Sequence, residues 1–405
     1  MKRLVAVIAG VFFWLGWQAV SLSPVEAAVS VNGQVRLNVI FSDRIYGSGQ
    51  TIAPADIPFD SGPLSVKERD NNQTIIDARR SRINVVGSED APGNIRLSSL
   101  VQVDFDTSDG NALTSNSRHP RLRLAYGQAT LPNGVTLRAG QVRTILSEFG
   151  DNLIGGVAAP DVINENGHFD QLQARQPGIQ VAWTGKMGGG DLTAGVAIEK
   201  QAPDAKSRTG FSAVVDERQA EGQDVPLFGA GVRYRDPLVA VFARGGLAKG
   251  KVILTGGGDQ DETVWLWAIG AEVKPVAMLT IHGQYWISQG LNRINGTFDD
   301  VALVSGKLET IEAQAFNVGA QLRLTPDLRF NAVYQWMKAD DDPKIFDLSA
   351  TSADKEEFQA LNVNFIYRFW KNWDTGLEYL HGKVESFGAT DGTINIVNFR
   401  VFYYF

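Results

Sequence analysis

Arginine recurs at alternate positions of segments whose other residues read as β-strand. Arg36, Arg96, Arg121, Arg123, Arg138, Arg233, Arg235, Arg244, Arg323, Arg329, Arg368 and Arg400 all fall on the polar side of such segments. A guanidinium is planar, always charged and rich in fixed N–H donors. A ladder of them along a wall suits the passage or binding of carboxylates and phosphates. The alternative is internal: Asp104, Asp106, Glu272, Glu312 and Glu378 pair with the arginines and stiffen the wall. Other chemistry is poorly represented. The chain has no Cys, which removes thiol nucleophiles, zinc–thiolate sites and disulfide frameworks. His119, His168, His282 and His381 are scattered without metal-ligand spacing, and no Gly-x-Ser-x-Gly elbow occurs. Gly188 to Gly190 have no following helix that would make them a phosphate loop. No enzyme activity, metal or cofactor is expected. The net charge of −7 also argues against a nucleic-acid partner, whose phosphates need neutralising.

The elements that carry the arginines have a period of two. Phe316, Val318, Ala320, Leu322 and Leu324 alternate with Asn317, Gly319, Gln321 and Arg323. Leu361, Val363, Phe365, Tyr367 and Phe369 alternate with Asn362, Asn364 and Arg368 in the same way. Sixteen such segments run from 31–41 to 393–405, and their connections alternate in length. Short ones lie at 87–93, 132–134, 185–190, 236–237, 274–275, 325–326 and 370–372. Long ones lie at 42–74, 107–119, 147–172, 201–227, 248–262, 289–309, 340–356 and 386–392. A bilayer core leaves no water for unpaired amides, so strands cross it only as a closed barrel. Short turns on one rim and long loops on the other are the outer-membrane arrangement. The chain is therefore expected to be all-β: a 16-stranded antiparallel transmembrane β-barrel with short periplasmic turns and long extracellular loops. A soluble sandwich would show strands of about five or six residues.

The ends agree. Lys2 and Arg3 precede the apolar run Leu4–Val20, and Val25-Glu26-Ala27 fits a cleavage site, so residues 1–27 read as an export signal and 28–405 as one barrel. The chain closes on Phe399, Val401, Tyr403 and Phe405 on one face, with an aromatic last residue. This resembles the final strand of Gram-negative outer-membrane proteins, which implies outer-membrane lipid as the surroundings and the barrel-assembly machinery as a partner through Phe405.

Charge divides by region. After residue 27 the eight long connections hold 13 Lys and Arg against 29 Asp and Glu, whereas strands and short turns hold 23 against 15. An acidic mouth above a basic wall predicts a channel that prefers anions. Sixteen strands make a barrel too wide for side chains to fill, hence a water-filled one. The connection 147–172 stands apart. It carries Glu148, Asp151, Asp161, Glu165 and Asp170, no Lys or Arg, and the apolar, Gly-rich run Leu153–Ala159. Such a segment suits folding back into the barrel, where its acids would oppose the arginines of strands two to five and set up a transverse field.

Asp77-Ala78-Arg79-Arg80-Ser81-Arg82-Ile83 resembles the second strand of DcaP-like porins. Gln102–Asp106, Arg121–Gln128 and Leu137–Gln141 continue the likeness. It covers residues 75–145 well and the rest in architecture only. The resemblance implies a trimeric, sixteen-stranded outer-membrane channel for small anionic solutes such as dicarboxylates. It places Arg80, Arg82, Arg96, Arg121, Arg123 and Arg138 at the constriction. Phosphate-selective porins resemble Lys-rich ladders, unlike these Arg-rich strands. Independently, no Trp of the exported part precedes Trp183, and the outward positions of the first five strands offer only Phe41, Phe105 and Tyr126 as aromatics. A wall without an aromatic girdle suits protein better than lipid. That pattern predicts a homotrimer in contact through strands one to five, closed by the last strand. Three functions follow as alternatives: an anion-preferring diffusion channel, a ligand-specific channel with a saturable site for phosphate or dicarboxylates, or a non-conducting structural barrel.

Overall fold

Alternation of apolar and polar residues makes each segment a strand with two unlike faces, and the strands pair edge to edge until none is left open. The computed structural model describes residues 28–44, 72–106, 110–111, 117–148, 152–157, 161–163, 172–200, 205–207, 225–253, 259–292, 300–304, 307–340, 355–386 and 391–405. The export signal at 1–27 lies outside these residues. The strands are β1 (Ala28–Ser42), β2 in two pieces (Gln73–Asp77 and Arg82–Ala91), β3 (Ile95–Asp104), β4 (Arg121–Thr130) and β5 (Val135–Arg143). There follow β6 (Arg175–Met187), β7 (Gly190–Glu199), β8 (Leu227–Arg235), β9 (Val239–Ile253), β10 (Asp259–Val276) and β11 (Leu279–Gln289). The last are β12 (Glu312–Arg323), β13 (Leu328–Ala339), β14 (Lys355–Trp370), β15 (Trp373–Ser386) and β16 (Gly392–Tyr404). Each pairs antiparallel with its sequence neighbours. β16 then pairs with β1, from Ile396↔Ser42 to Tyr404↔Gln34, and closes the sheet into a sixteen-stranded barrel. Beyond its last strand residue, Phe405 exchanges both backbone hydrogen bonds with Gly33.

Turn chemistry sets the short rim. Gly93 and Asn94 take positive φ after Pro92, and Gly134 does so after Pro132-Asn133. Asp236 accepts the N–H groups of Val239 and Leu238, both at 2.8 Å, which holds its carboxyl below the usual carboxylate range. Two short connections are tighter than expected, 92–94 and 188–189, and a third keeps its two residues but is shifted to 277–278. The last replaces the turn expected at 274–275, because Pro275 sits inside β10 at a register shift between Val273 and Val276, where its missing N–H is tolerated. On the other rim β9 and β10 pair as far as Ile253↔Asp259, so the long connection expected at 248–262 is mostly strand. A small sheet also forms there: Ala205–Ser207 pairs parallel with Val301–Val304, which pairs with Lys307–Thr310.

Two bulges decide which side chains face inward. Between Asn38↔Asp77 and Gln34↔Arg82, β1 has three residues and β2 has four. The extra residue reverses parity. Asp77, Arg80 and Arg82 can thus all face the interior while Ile76 and Ile83 face out. Ser81 fills the gap in the ladder, its Oγ accepting Arg36 N–H at 3.1 Å and donating to Ala78 O at 2.8 Å. A second shift lies between Gln102 and Val103, where Arg123 is the extra residue of β4 in the register. It turns Tyr126 inward, contrary to the outward position expected from unbroken alternation. The girdle-free stretch of β1–β5 is therefore barer than the sequence pattern implies. Elsewhere the outer face carries aromatic clusters near both rims, such as Phe316 stacked on Trp336 with centroids 5.5 Å apart, and Trp373 against Tyr403 at 4.8 Å.

The interior is not uniformly polar. Ala313, Ala315, Met337, Phe358, Ala360, Leu380 and Val384 face inward and are no more than 2% exposed. They form one apolar cluster with Ile145, Leu146, Ile154, Val157 and Leu172 from the connection after β5. Inward residues of β2–β4 are different: Asn84, Gln102, Tyr126 and Gln128 are only half-buried. The solvent-accessible part of the interior thus borders β2–β5. Among the described residues no helix is long and apolar enough to cross a membrane.

The alternation of rims predicts sidedness. Because the chain has no Cys, single replacements give clean labels. On intact cells an impermeant thiol reagent should modify Asp340→Cys and leave Gly188→Cys untouched. Labelling of the second alone would invert the barrel.

Candidate channel constriction

On the accessible side the site is built from the ends of β3 and β4. Alternation puts Arg121 and Arg123 on one face, and register sets Asp104 opposite both Arg121 and Arg82. Arg121 donates to both oxygens of Asp104, each at 2.8 Å, and to Asp106 at 3.2 Å. Arg123 donates to Asp104 at 2.6 Å and to Gln102 at 3.0 Å. Arg80, brought inward by the bulge, meets Asp106 at 3.0 Å. Three guanidiniums thus share two carboxylates, leaving one net positive charge. Asp104 is wholly buried while the Arg121 side chain stays 38% exposed, so the cation and not the anion meets solvent. Amides extend the group along the wall: Asn84 donates to Asn32 at 2.9 Å, and Gln102 donates to Asn84 at 2.8 Å. Arg138 lies apart on β5. It donates twice to Gln128 Oε1, at 3.0 and 2.8 Å, and covers the Tyr126 ring at 4.3 Å. Arg96 sits beside the 92–94 turn, opposite Thr130, well away from Arg121.

Facing this wall is the connection after β5. It begins where Ile145 N–H donates to the buried Glu199 at 2.8 Å, and Glu148 accepts Leu172 N–H at 3.3 Å. It then runs along β8 and β9. Arg235 donates to Gly156 O at 2.8 Å, and Arg244 reaches both Ile145 O at 3.2 Å and Gly155 O. Arg233 also reaches Gly156 O, at 3.5 Å. The backbone there takes a conformation that favours glycine. Gly155 has φ 76°, and a Cβ there would stand 2.1 Å from Arg233 Nη1. The connection then crosses to β13–β16 and β1. Asp161 pairs with Arg329 at 2.7 Å, and its carbonyl accepts from Asn364 at 2.7 Å. Val162 and Ile163 carbonyls accept from Arg400 at 3.4 Å and Arg36 at 2.8 Å.

This changes what the acids oppose. The expectation set them against the arginines of β2–β5, but Asp161 pairs with Arg329 on β13, and the β4 arginines are met by Asp104 and Asp106 of their own wall. The reason is reach: the connection is drawn to the opposite wall by its apolar side chains. Asp151, Glu165 and Asp170 lie outside the described residues. Of the remaining arginines, Arg368 makes a bidentate pair with Asp374 at 2.8 and 3.2 Å, and Arg323 stands exposed beside the 324–327 turn. Glu199 and Asn364 were not singled out by residue type. Their inward parity beside apolar neighbours was the available signal.

No curated protein matches the chain by sequence. Among solved structures, the outer membrane channel DcaP of Acinetobacter baumannii is similar with TM-score 0.72 and 20% identity, over 94% of this chain and 97% of that one. The anion-selective porin from Comamonas acidovorans follows with TM-score 0.56 and 13% identity, over 94% and 100%. OmpT, an outer membrane protein of Vibrio cholerae in its trimer form, gives 0.54 and 14%, over 94% and 99%. At these identities the likeness is one of fold. The model of the Gram-negative porin family matches residues 17–386. Closed sixteen-stranded barrel, inward connection and family match agree: the chain belongs to the Gram-negative porins and is an outer-membrane channel protein.

Proposed function

We propose that the channel passes small hydrophilic solutes and favours anions such as carboxylates. The observation that carries this reading is the group on β2–β4, in which three arginines outnumber two aspartates and Arg121 is the member turned to solvent. A passing carboxylate meets preorganised donors there without stripping a buried anion. Arg80, Arg82, Arg121, Arg123 and Arg138 form one side of the narrow cross-section in this reading, and the 147–172 connection forms the other. Arg96 adds positive charge near the short-turn rim. The porin of Comamonas acidovorans, similar in fold, is anion-selective.

A second reading, a saturable site for phosphate or dicarboxylates, is favoured by the spacing of two fixed guanidiniums around one carboxylate. A solute with two anionic ends competes for that geometry.

The export signal and the assembly machinery's use of Phe405 belong to the same proposal, as does a homotrimer in contact through β1–β5. The trimer is supported by the outward faces there: Val31, Val35, Leu37, Val85, Val101 and Leu122 are exposed and aliphatic. Small and aliphatic walls approach one another closely.

Replacing Arg121 and Arg123 together by Gln should lower the anion-over-cation permeability ratio. A charge ~4 Å from an ion is worth about 1 kcal/mol in water, hence roughly fivefold per cation lost. An unchanged reversal potential in a salt gradient would place selectivity elsewhere.

Titrating succinate or phosphate against chloride current separates diffusion from binding. Saturating block supports the site, whereas a linear fall in current supports simple diffusion.

Native mass spectrometry from mild detergent should give three copies. A single-chain mass at concentrations where other porin trimers persist would remove the trimer.

A further inference from the structure

Three consecutive residues of the inward connection touch five consecutive strands. Asp161 meets β13 through Arg329, and its carbonyl meets β14 through Asn364, each at 2.7 Å. Ile163 N–H donates to Glu378 of β15 at 2.7 Å. Val162 O accepts from Arg400 of β16, and Ile163 O accepts from Arg36 of β1. These contacts lie at Asn364, Glu378 and Arg400, four to six residues in from the short-turn ends of their strands. They straddle the place where β16 meets β1. Every other neighbouring pair of barrel strands is joined by a chain connection, whereas this seam joins residues more than 350 apart in sequence. It is the pairing with the greatest loop to close.

We infer that Asp161–Ile163 is an internal staple across the seam, and that Arg36, Arg400 and Glu378 are positioning residues that hold it there. Arg36 and Arg400 are 1% and 6% exposed and direct Nη atoms at loop carbonyls. They also sit against the same Phe402 ring, with guanidinium carbons 4.7 and 3.8 Å from its centroid. Buried donors committed to backbone oxygens do not offer charge to a passing solute. The dependence is mutual. The receptor for Val162 and Ile163 exists only when β1 and β16 lie side by side, so the connection reaches its place on closure and then resists reopening. This holds whatever solute the channel carries.

The test uses the absence of Cys. Leu37 and Val401 are directly opposed across the seam, so Leu37→Cys with Val401→Cys places a disulfide there. In the native background Arg36→Met should lower, by several degrees, the temperature at which the folded band is lost on a detergent gel. It should also add rapid closures to the single-channel record and leave the reversal potential unchanged. With the seam disulfide formed, the lost degrees should return while the closures persist, because the strands are held but the connection is not. Arg36→Lys, which keeps the charge with a shorter reach, should fall between. Assembly of Arg36→Met only in the disulfide background supports the staple too. A native melting temperature with a quiet record in Arg36→Met overturns it. So does an equal loss of temperature with and without the disulfide. A shifted reversal potential without added closures would instead make Arg36 a selectivity residue.

Discussion

Everything in this protein depends on pairing the backbone of the last strand with that of the first. In hydrocarbon an unpaired amide costs several kcal/mol, so a sixteen-stranded sheet is admissible only when it has no edge. The nine register pairs between Gln34–Ser42 and Ile396–Tyr404 remove the edge, and the exchange between Gly33 and Phe405 finishes it at the rim. Closure also creates an enclosed volume, and the interior side chains must answer to that volume and not to lipid.

The interior answers in two ways. Along β9–β16 it is packed: apolar side chains of the wall and of the connection after β5 bury one another, and polar ones such as Asn331, Asn364 and Glu378 are buried on the same strands. Along β2–β4 it is more open, with half-buried polar side chains and the charged group of Arg80, Arg121, Arg123, Asp104 and Asp106. A porin lumen is commonly pictured as an open polar cylinder, but here buried side chains, apolar and polar, fill the interior along β9–β16. In the proposed function that leaves weight to the arginines of β2–β4, because a charge matters to a solute only where the solute passes.

The inward arginines accordingly divide by partner. Arg36, Arg244 and Arg400 donate to carbonyl oxygens of the connection, Arg80, Arg121 and Arg123 share Asp104 and Asp106, and Arg235 does both, reaching Gly156 O and Glu272. A guanidinium serves either purpose because its donors fit both a carboxylate and a row of carbonyls. Counting positive charge along the wall therefore overstates what a solute meets. The pairs at Asp104, Asp106 and Glu272 answer to the wall-stiffening reading, and the selective-cation reading is the proposal made for β2–β4.

By itself the sequence determined the barrel, the strand number and the alternation of rims. Each follows from local features: period two, turn residues such as Pro132-Asn133-Gly134, and the lengths between them. It also raised the expectation that 147–172 folds inward, and of its described residues Ile154 and Val157 are buried. Tertiary structure alone decided the rest. Whether Arg80 and Arg82 share a face depends on one unpaired residue opposite β1, and Tyr126 turns inward through a bulge opposite β3. A bulge is a property of two strands in register, so no single strand's pattern contains it. The partners of Arg36 and Arg244 were equally hidden, because they are backbone carbonyls, which every residue possesses and no residue type advertises. Side-chain chemistry can be read along a chain. Which atoms meet across 20 or 200 residues is settled only when the sheet has closed.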